Sequence, residues 1–166
     1  MKVILCQPQI PQNTGNIVRT CAVAGLDLSL VKPLGFRTSD RYLKRAGLDY
    51  WEDVDTEICD SLEEIVDPCQ GGVYLFSSKA KKLYTEISFQ ENDYLVFGSE
   101  TNGLPPLYLE KWPDCFYSIP MLPKARCLNL SNAVSIVVYE AWRQQGFVYR
   151  DNVTSHPGRN LGFGSV

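Results

Sequence analysis

The segment YLVFGSETNGLP, residues 94–105, decides the fold. Its first four residues, YLVF, form a continuous apolar run of strand length that Gly98 ends at once. A strand that is apolar on both sides of its pleat is buried on both faces, the pattern of a parallel sheet covered by helices. The turn that follows, G-S-E-T-N-G, resembles a nucleotide-binding turn, because glycines let the backbone approach a ligand and leave N–H groups to meet its polar atoms. A tight turn through Gly98 and Gly103 with no ligand is the alternative. Glu100 speaks for a site, since an acid between two glycines beyond a strand end can accept hydrogen bonds from a ligand or hold an arginine. No Lys follows the last glycine and an acid repels phosphate, so a phosphate loop fits poorly.

The same alternation of strand and helix repeats on either side. KVILC at 2–6, LSLV at 28–31 and VYLF at 73–76 are further apolar strand runs, and a weaker strand ends in SIP at 118–120. The intervening QPQIPQ reads as loop, because Pro disfavours helix at the residue before it. Asn13 is predicted to cap a helix that keeps Ile17, Cys21 and Ala24 at helical spacing and ends at Gly25. SDRYLKRAG at 39–47 reads as a short basic helix and SLEEIV at 61–66 as an acidic one. LNLSNAVSIVVYEAWRQQ, 128–145, has Ala133, Val137 and Ala141 four apart with Ile136 and Val138 beside them, which predicts a helix with much of its circumference buried. There is no internal repeat or linker. The expected fold class is α/β, a mainly parallel sheet with helices on both faces. One domain is expected over 1–148, with 149–166 as a flexible C-terminal tail.

At 166 residues, 45% of them hydrophobic and 21% charged, the chain has room for one domain with a single core and none for a second catalytic unit. Cysteines at 6, 21, 59, 69, 115 and 127 include no C-x-x-C pair, so neither a zinc site nor a disulfide framework is expected. No signal peptide or membrane span is visible, and a cytoplasmic protein with reduced thiols follows. The only histidine, His156, sits in the tail, which argues against Ser/His or Cys/His catalysis. The net charge of −3 disfavours a polyanionic partner until its distribution is read. Residues 49–69 hold nine acids and no Lys or Arg, leaving 16 bases against 10 acids elsewhere. That basic remainder suits nucleic acid.

Two other segments carry chemistry. In NTGNIVRTC, 13–21, Arg19 lies in the first turns of a helix leaving a strand, where a guanidinium and free N–H groups could face an anion or a developing oxyanion; a capped helix start with a solvated Arg19 is the alternative. In IPMLPKARCLNLSNAVS, 119–135, Pro120 and Pro123 stiffen a loop bearing Lys124 and Arg126. Asn129, Ser131 and Asn132 then open an otherwise apolar helix, an excess of polar residues that one N-cap does not use. Arg37, Arg41, Lys44, Arg45, Lys124 and Arg126 are the candidates for phosphate contact, a solvated basic face being the alternative for each. Tyr42 and Trp51 could stack on a base or pack in the core.

In order and spacing, IPQNTGNIVRTC, LKRAGLDYW, FGSETNGLP and NLSNAVSIVVYEAWRQ resemble the corresponding segments of the SPOUT superfamily of RNA methyltransferases. The match is closest to its small TrmL/YibK-like members, which 2′-O-methylate the wobble nucleotide of certain tRNAs, and it runs from about Val3 to Gln144. The resemblance implies a C-terminal deep trefoil knot, a topology that base rates of folds reject. It implies S-adenosyl-L-methionine as cofactor and a homodimer whose sites are completed by the partner subunit, with no metal and no membrane. Carried over by position, the cofactor would meet Phe76, Ser77, Gly98, Glu100, Ile119, Met121, Cys127 and Leu128. Many relatives have Ser where this chain has Cys127.

Arg19 would be the catalytic residue, supplied across the dimer. A guanidinium is very hard to deprotonate, so it serves as a stabiliser of the forming 2′-oxyanion and not as a base. Asn13, Asn129, Asn132 and Glu100 would orient the sugar or hold Arg19. The implied substrate is cytidine or uridine 34 of tRNA, leucine isoacceptors first. Another tRNA position, ribosomal RNA and a non-catalytic cofactor- or RNA-binding module are the rivals. An NAD-type oxidoreductase fits worse, because G-S-E-T-N-G lacks the G-x-G fingerprint and falls late in the chain.

Overall fold

Seven strands form one sheet in the order β3-β2-β1-β6-β4-β7-β5. They are β1 (Lys2–Cys6), β2 (Asp27–Val31), β3 (Thr56–Cys59), β4 (Val73–Phe76), β5 (Lys82–Leu83), β6 (Tyr94–Phe97) and β7 (Phe116–Ser118). Every neighbouring pair is parallel. The helices are α1 (Pro11–Ala24), α2 (Glu63–Val66), α3 (Pro106–Lys111) and α4 (Leu130–Gln144). This computed structural model describes residues 1–37, 50–51, 53–66 and 71–148. The basic helix expected at 39–47, Cys69 and the tail at 149–166 lie outside them.

Alternation along the central strands explains why their sequences are apolar throughout. Val3 and Leu5 of β1 lie in register with Leu28 and Leu30 of β2 and with Leu95 and Phe97 of β6. These side chains share one face of the sheet with Ile17, Val18 and Cys21 of α1 and Val134, Val137, Val138 and Ala141 of α4. Ile4, Cys6, Val31, Leu75 and Val96 point the other way, against Leu62, Val66 of α2 and Tyr108 of α3. Ser29 is the polar member of that second face, and its hydroxyl donates to Glu57 Oε1 at 2.7 Å, which Lys2 Nζ also reaches at 2.7 Å. Among the described residues no helix is long and apolar enough to cross a membrane.

The boundaries differ from expectation in instructive places. α1 begins at Pro11, with Ile10 at the N-cap, three residues before the expected cap. Pro at the first helical position loses nothing, because its missing N–H would have no partner there and its fixed φ suits a helix. Asn13 is therefore inside the helix, and its side chain is free for other work. Gly25 ends α1 in the left-handed conformation at φ 67°, as its sequence position suggests. β7 stops at Ser118, two residues short of the expected end, and α2 keeps only four residues of the acidic stretch.

One buried acid ties the sheet together below β4 and β6. Asp93, 1% exposed, accepts from Gly72 N at 2.8 Å and Gln90 N at 2.7 Å. Asp93→Ala removes a buried carboxylate that takes two part-buried backbone donors, and should destabilise the protein by about 1–3 kcal/mol. Urea titration checks this as a lower midpoint at unchanged slope.

The strand order reverses between β1 and β6. The chain leaving β1 enters α1 on one face, while that leaving β6 reaches α3 on the other. Such a divergence opens a crevice beyond the carboxyl ends of the strands, the usual place for a ligand in this architecture.

Candidate active site

A cavity of about 780 Å³ occupies that crevice. Its walls come from the chain after β4 (76–80), the turn after β6 (97–106) and the segment from β7 into α4 (119–130), with Ile10 and Asn13 closing the side toward α1. Phe76 and Phe97, the last residues of their strands, stack at 4.7 Å between ring centroids with an 18° tilt, giving the cavity a flat aromatic wall. Ile119, Leu104, Leu128 and Leu130 add apolar surface.

The turn is closed on itself. Ser99 and Gly103 exchange backbone hydrogen bonds of 3.0 and 2.9 Å, and Gly103 adopts φ 70°. Gly98 has no room for a side chain: a Cβ there would lie 2.1 Å from the Gly103 carbonyl carbon and 2.2 Å from Leu104 N. The backbone thus passes directly along the cavity wall, which a residue with a side chain would prevent.

A chain of hydrogen bonds crosses the site from this turn to both long helices. Glu100 accepts from Gln9 N at 2.8 Å, Ile10 N at 3.2 Å and Asn13 Nδ2 at 2.9 Å. Its carboxylate thereby takes the amides at the start of α1 that have no partner within the helix. Asn129 Nδ2 donates to Asn13 Oδ1 at 2.9 Å. Asn129 also caps α4, its Oδ1 accepting from Ser131 N at 2.9 Å and Ser131 Oγ at 2.7 Å. The Ser135 hydroxyl donates to Ser131 O at 2.8 Å and lies 3.0 Å from the Thr20 hydroxyl, which stitches α4 to α1. Cap and cross-link together account for Asn129 and Ser131 at the start of α4, and leave Asn132 unused.

All eight residues expected at the cofactor line this one cavity: Phe76, Ser77, Gly98, Glu100, Ile119, Met121, Cys127 and Leu128. Asn13 and Asn129 line it as well. Arg19 and Asn132 do not; both are exposed, on α1 and on the first turn of α4. Arg37, Lys124 and Arg126 are exposed, the last two on the loop whose continuation, Cys127 and Leu128, forms the wall. Arg41, Tyr42, Lys44 and Arg45 lie outside the described residues. Trp51 is half-buried and packs against the core beneath α1 and α4, so core packing accounts for it. Sequence reasoning missed Phe97 and Lys79 on the wall; Phe97 adjoins Gly98 and Lys79 stands two residues beyond Ser77, and the ends of neighbouring parallel strands were the available signal.

Two buried thiols, Cys6 at the end of β1 and Cys21 on α1, are inert. Burial, and next the Glu63 carboxylate, push Cys6 up to about 12, and burial raises Cys21 beyond any useful range. Neither supplies a nucleophile at neutral pH.

Comparison with known proteins converges on one group. Residues 1–139 match the SpoU rRNA Methylase family. The tRNA (cytidine(34)-2′-O)-methyltransferase of Saccharophagus degradans is 49% identical over 149 residues, 87% of this chain and 96% of its own. A solved structure concerned with the 2-OH methylation of C/U34 on tRNA is similar at a TM-score of 0.82 and 43% identity, covering 89% of this chain and 97% of that one. The AdoMet-bound rRNA methyltransferase from Sinorhizobium meliloti is similar at a TM-score of 0.74 and 25% identity, over 86% of this chain and 55% of its own.

Proposed function

The chain belongs to the SpoU methylase family, and from that premise we propose that it methylates the ribose 2′-hydroxyl of nucleotide 34, cytidine or uridine, in tRNA, leucine isoacceptors among them, using S-adenosylmethionine. The observation that carries this reading is the meeting of the eight expected cofactor positions in one cavity, bordered by the Glu100–Asn13–Asn129 chain. The cavity fits the cofactor: its volume is that of a small-molecule site, the Phe76 and Phe97 rings and the aliphatic wall suit an adenine, and the Gly98 turn offers backbone groups. When bound, the cofactor supplies an electrophilic methyl on a sulfonium, which needs neither metal nor acid.

The protein's task is then to place the ribose and manage its proton. Glu100 has both oxygens engaged by three donors, so it fixes geometry and is not a free base. An amide nitrogen carries two hydrogens. Asn13 and Asn129 each spend one within the chain of bonds and keep one for the sugar. Arg19 stands six residues beyond Asn13, about 9 Å along the helix and about 120° around it. That places it away from its own cavity, and a homodimer brings it to the partner's. Val23, four residues on, shares its face of α1 and is exposed, as are Ile136 and Tyr139 on α4, an apolar surface suited to a second copy.

The C-terminal trefoil knot belongs to the same proposal. The segment 119–129 runs from β7, near one edge of the sheet, back to α4 on α1, and it lines the cavity together with the loops at 76–80 and 98–106. A cytoplasmic location follows from the substrate. Mapping 2′-O-methylated nucleosides in tRNA from a strain lacking this protein tests the reading: loss at nucleotide 34 supports it, and full methylation there contradicts it. For the RNA surface, neutralising Lys124 and Arg126, or Arg41 and Arg45, should weaken tRNA binding and lower the salt-dependence slope by about one per residue. Binding titrations across a salt series read this, and an unchanged slope removes the pair from the interface.

A further inference from the structure

Arg19 is exposed, and among the described residues no carboxylate pairs with it. Its guanidinium carbon lies over the Tyr50 ring, 5.3 Å from the centroid. Tyr50 is itself half-buried and packs, with Trp51, against the core shared by α1 and α4. We propose that Tyr50 is a positioning residue for catalysis, holding the Arg19 guanidinium by its ring face in the orientation presented to the reacting ribose.

The chemistry favours a ring over any other support. A long arginine side chain left loose has many rotamers, and each turnover would have to select one. A carboxylate would hold it more firmly, yet would cancel the positive charge that a forming oxyanion requires and occupy one or two N–H donors. An aromatic face attracts the cation through its quadrupole and leaves the charge uncancelled. The donors of a guanidinium lie in its plane, so contact with a ring through the face leaves them available. Tyr50 belongs to the same chain as Arg19 and is anchored on the core under the same helix, so the two arrive together at whichever site Arg19 serves. This inference rests on the reading of Arg19 as the oxyanion stabiliser.

The test is single-turnover methyl transfer to tRNA by the full-length protein with residue 50 varied. Tyr50→Phe should stay within about threefold of the parent, because the ring is retained. Tyr50→Leu should lower the rate by about five- to thirtyfold, the range that a cation–π contact of ordinary strength allows, with tRNA and cofactor affinities nearly unchanged. Phe analogues carrying one, two and three ring fluorines at position 50 should give a stepwise decline, since fluorination weakens the quadrupole at nearly constant size. A flat fluorine series at equal thermal stability overturns the proposal, because packing alone would tolerate all these rings. A Tyr50→Phe variant as slow as Tyr50→Leu also overturns it, by assigning the effect to the hydroxyl. Arg19→Ala separates the two levels of the argument. If it is inactive while the fluorine series is flat, only the role of Tyr50 falls; if it stays active, the reading of Arg19 falls and the role of Tyr50 with it.

Discussion

Arg19→Ala is expected to lower the rate of methyl transfer by about 10²–10³-fold or more while leaving cofactor affinity within about twofold. The two halves of that expectation have separate grounds. On the reading of Arg19 as oxyanion stabiliser, the rate falls because the oxyanion forming on the ribose loses the protein cation proposed to face it. Cofactor affinity holds because the eight positions expected to meet the cofactor are all other residues, and Arg19 is proposed to face the ribose. Arg19→Lys should recover little, since an ammonium lacks the planar fork of donors and is a more strongly hydrated partner for the Tyr50 ring. Single-turnover kinetics and calorimetric titration of S-adenosylmethionine read the two halves independently. Loss of cofactor binding in Arg19→Ala would reassign the residue to the cavity wall.

Gly98→Ala should act in the opposite sense, abolishing cofactor binding on the order of a hundredfold or more, an effect of about 3 kcal/mol. Its added Cβ would fall 2.1, 2.2 and 2.4 Å from backbone atoms of Gly103 and Leu104, which have no rotamer to escape into. The turn must open, carrying Glu100 away from the start of α1 and so disturbing Asn13 and Asn129 as well. Gly103→Ala is the informative contrast. Space there is open and only the positive φ resists, so the cost should be about 1–2 kcal/mol of stability with weaker effects on binding. Calorimetry with S-adenosylmethionine, alongside circular dichroism to show an intact sheet, checks both. A Gly98→Ala protein that binds normally would move the cofactor out of this cavity.

What was legible beforehand follows physical lines. β1, β4 and β6 announce themselves because burial on both faces demands apolar runs, and β2 does so with Ser29 as its one interior polar residue. β3 and β5 do not, being edge strands: TEIC carries exposed Glu57 and Ile58, and β5 is two exposed residues, Lys82 and Leu83. α3 escapes notice because six residues are too few to show a helical period. In the site, Glu100 and Asn129 stood out as polar groups in excess of local needs, and Asn13 as a helix cap. Their mutual bonds span 87 and 116 residues of chain, and no spacing rule reaches that far. Asn13 was misplaced as a cap because Pro11 starts the helix earlier. The contact between Arg19 and Tyr50 was illegible for the same reason of distance: Tyr50 comes 31 positions later, beyond a segment of a different character.

The charge distribution also acquires a geometry. β3, which holds Glu57, is an edge strand of the sheet, whereas the loop bearing Lys124 and Arg126 leaves β7 near the other edge. With nine of its acids gathered in one stretch of the sequence, a net charge of −3 is compatible with an RNA substrate.

The most direct measurement is transfer of labelled methyl from S-adenosylmethionine to unmodified tRNA by the purified protein, followed by nuclease mapping of the label. The account expects one labelled nucleotide, position 34, with the methyl on the ribose 2′-oxygen and none transferred by Arg19→Ala. Label on a base or at another position, or no transfer from a protein that binds both substrates, would contradict it.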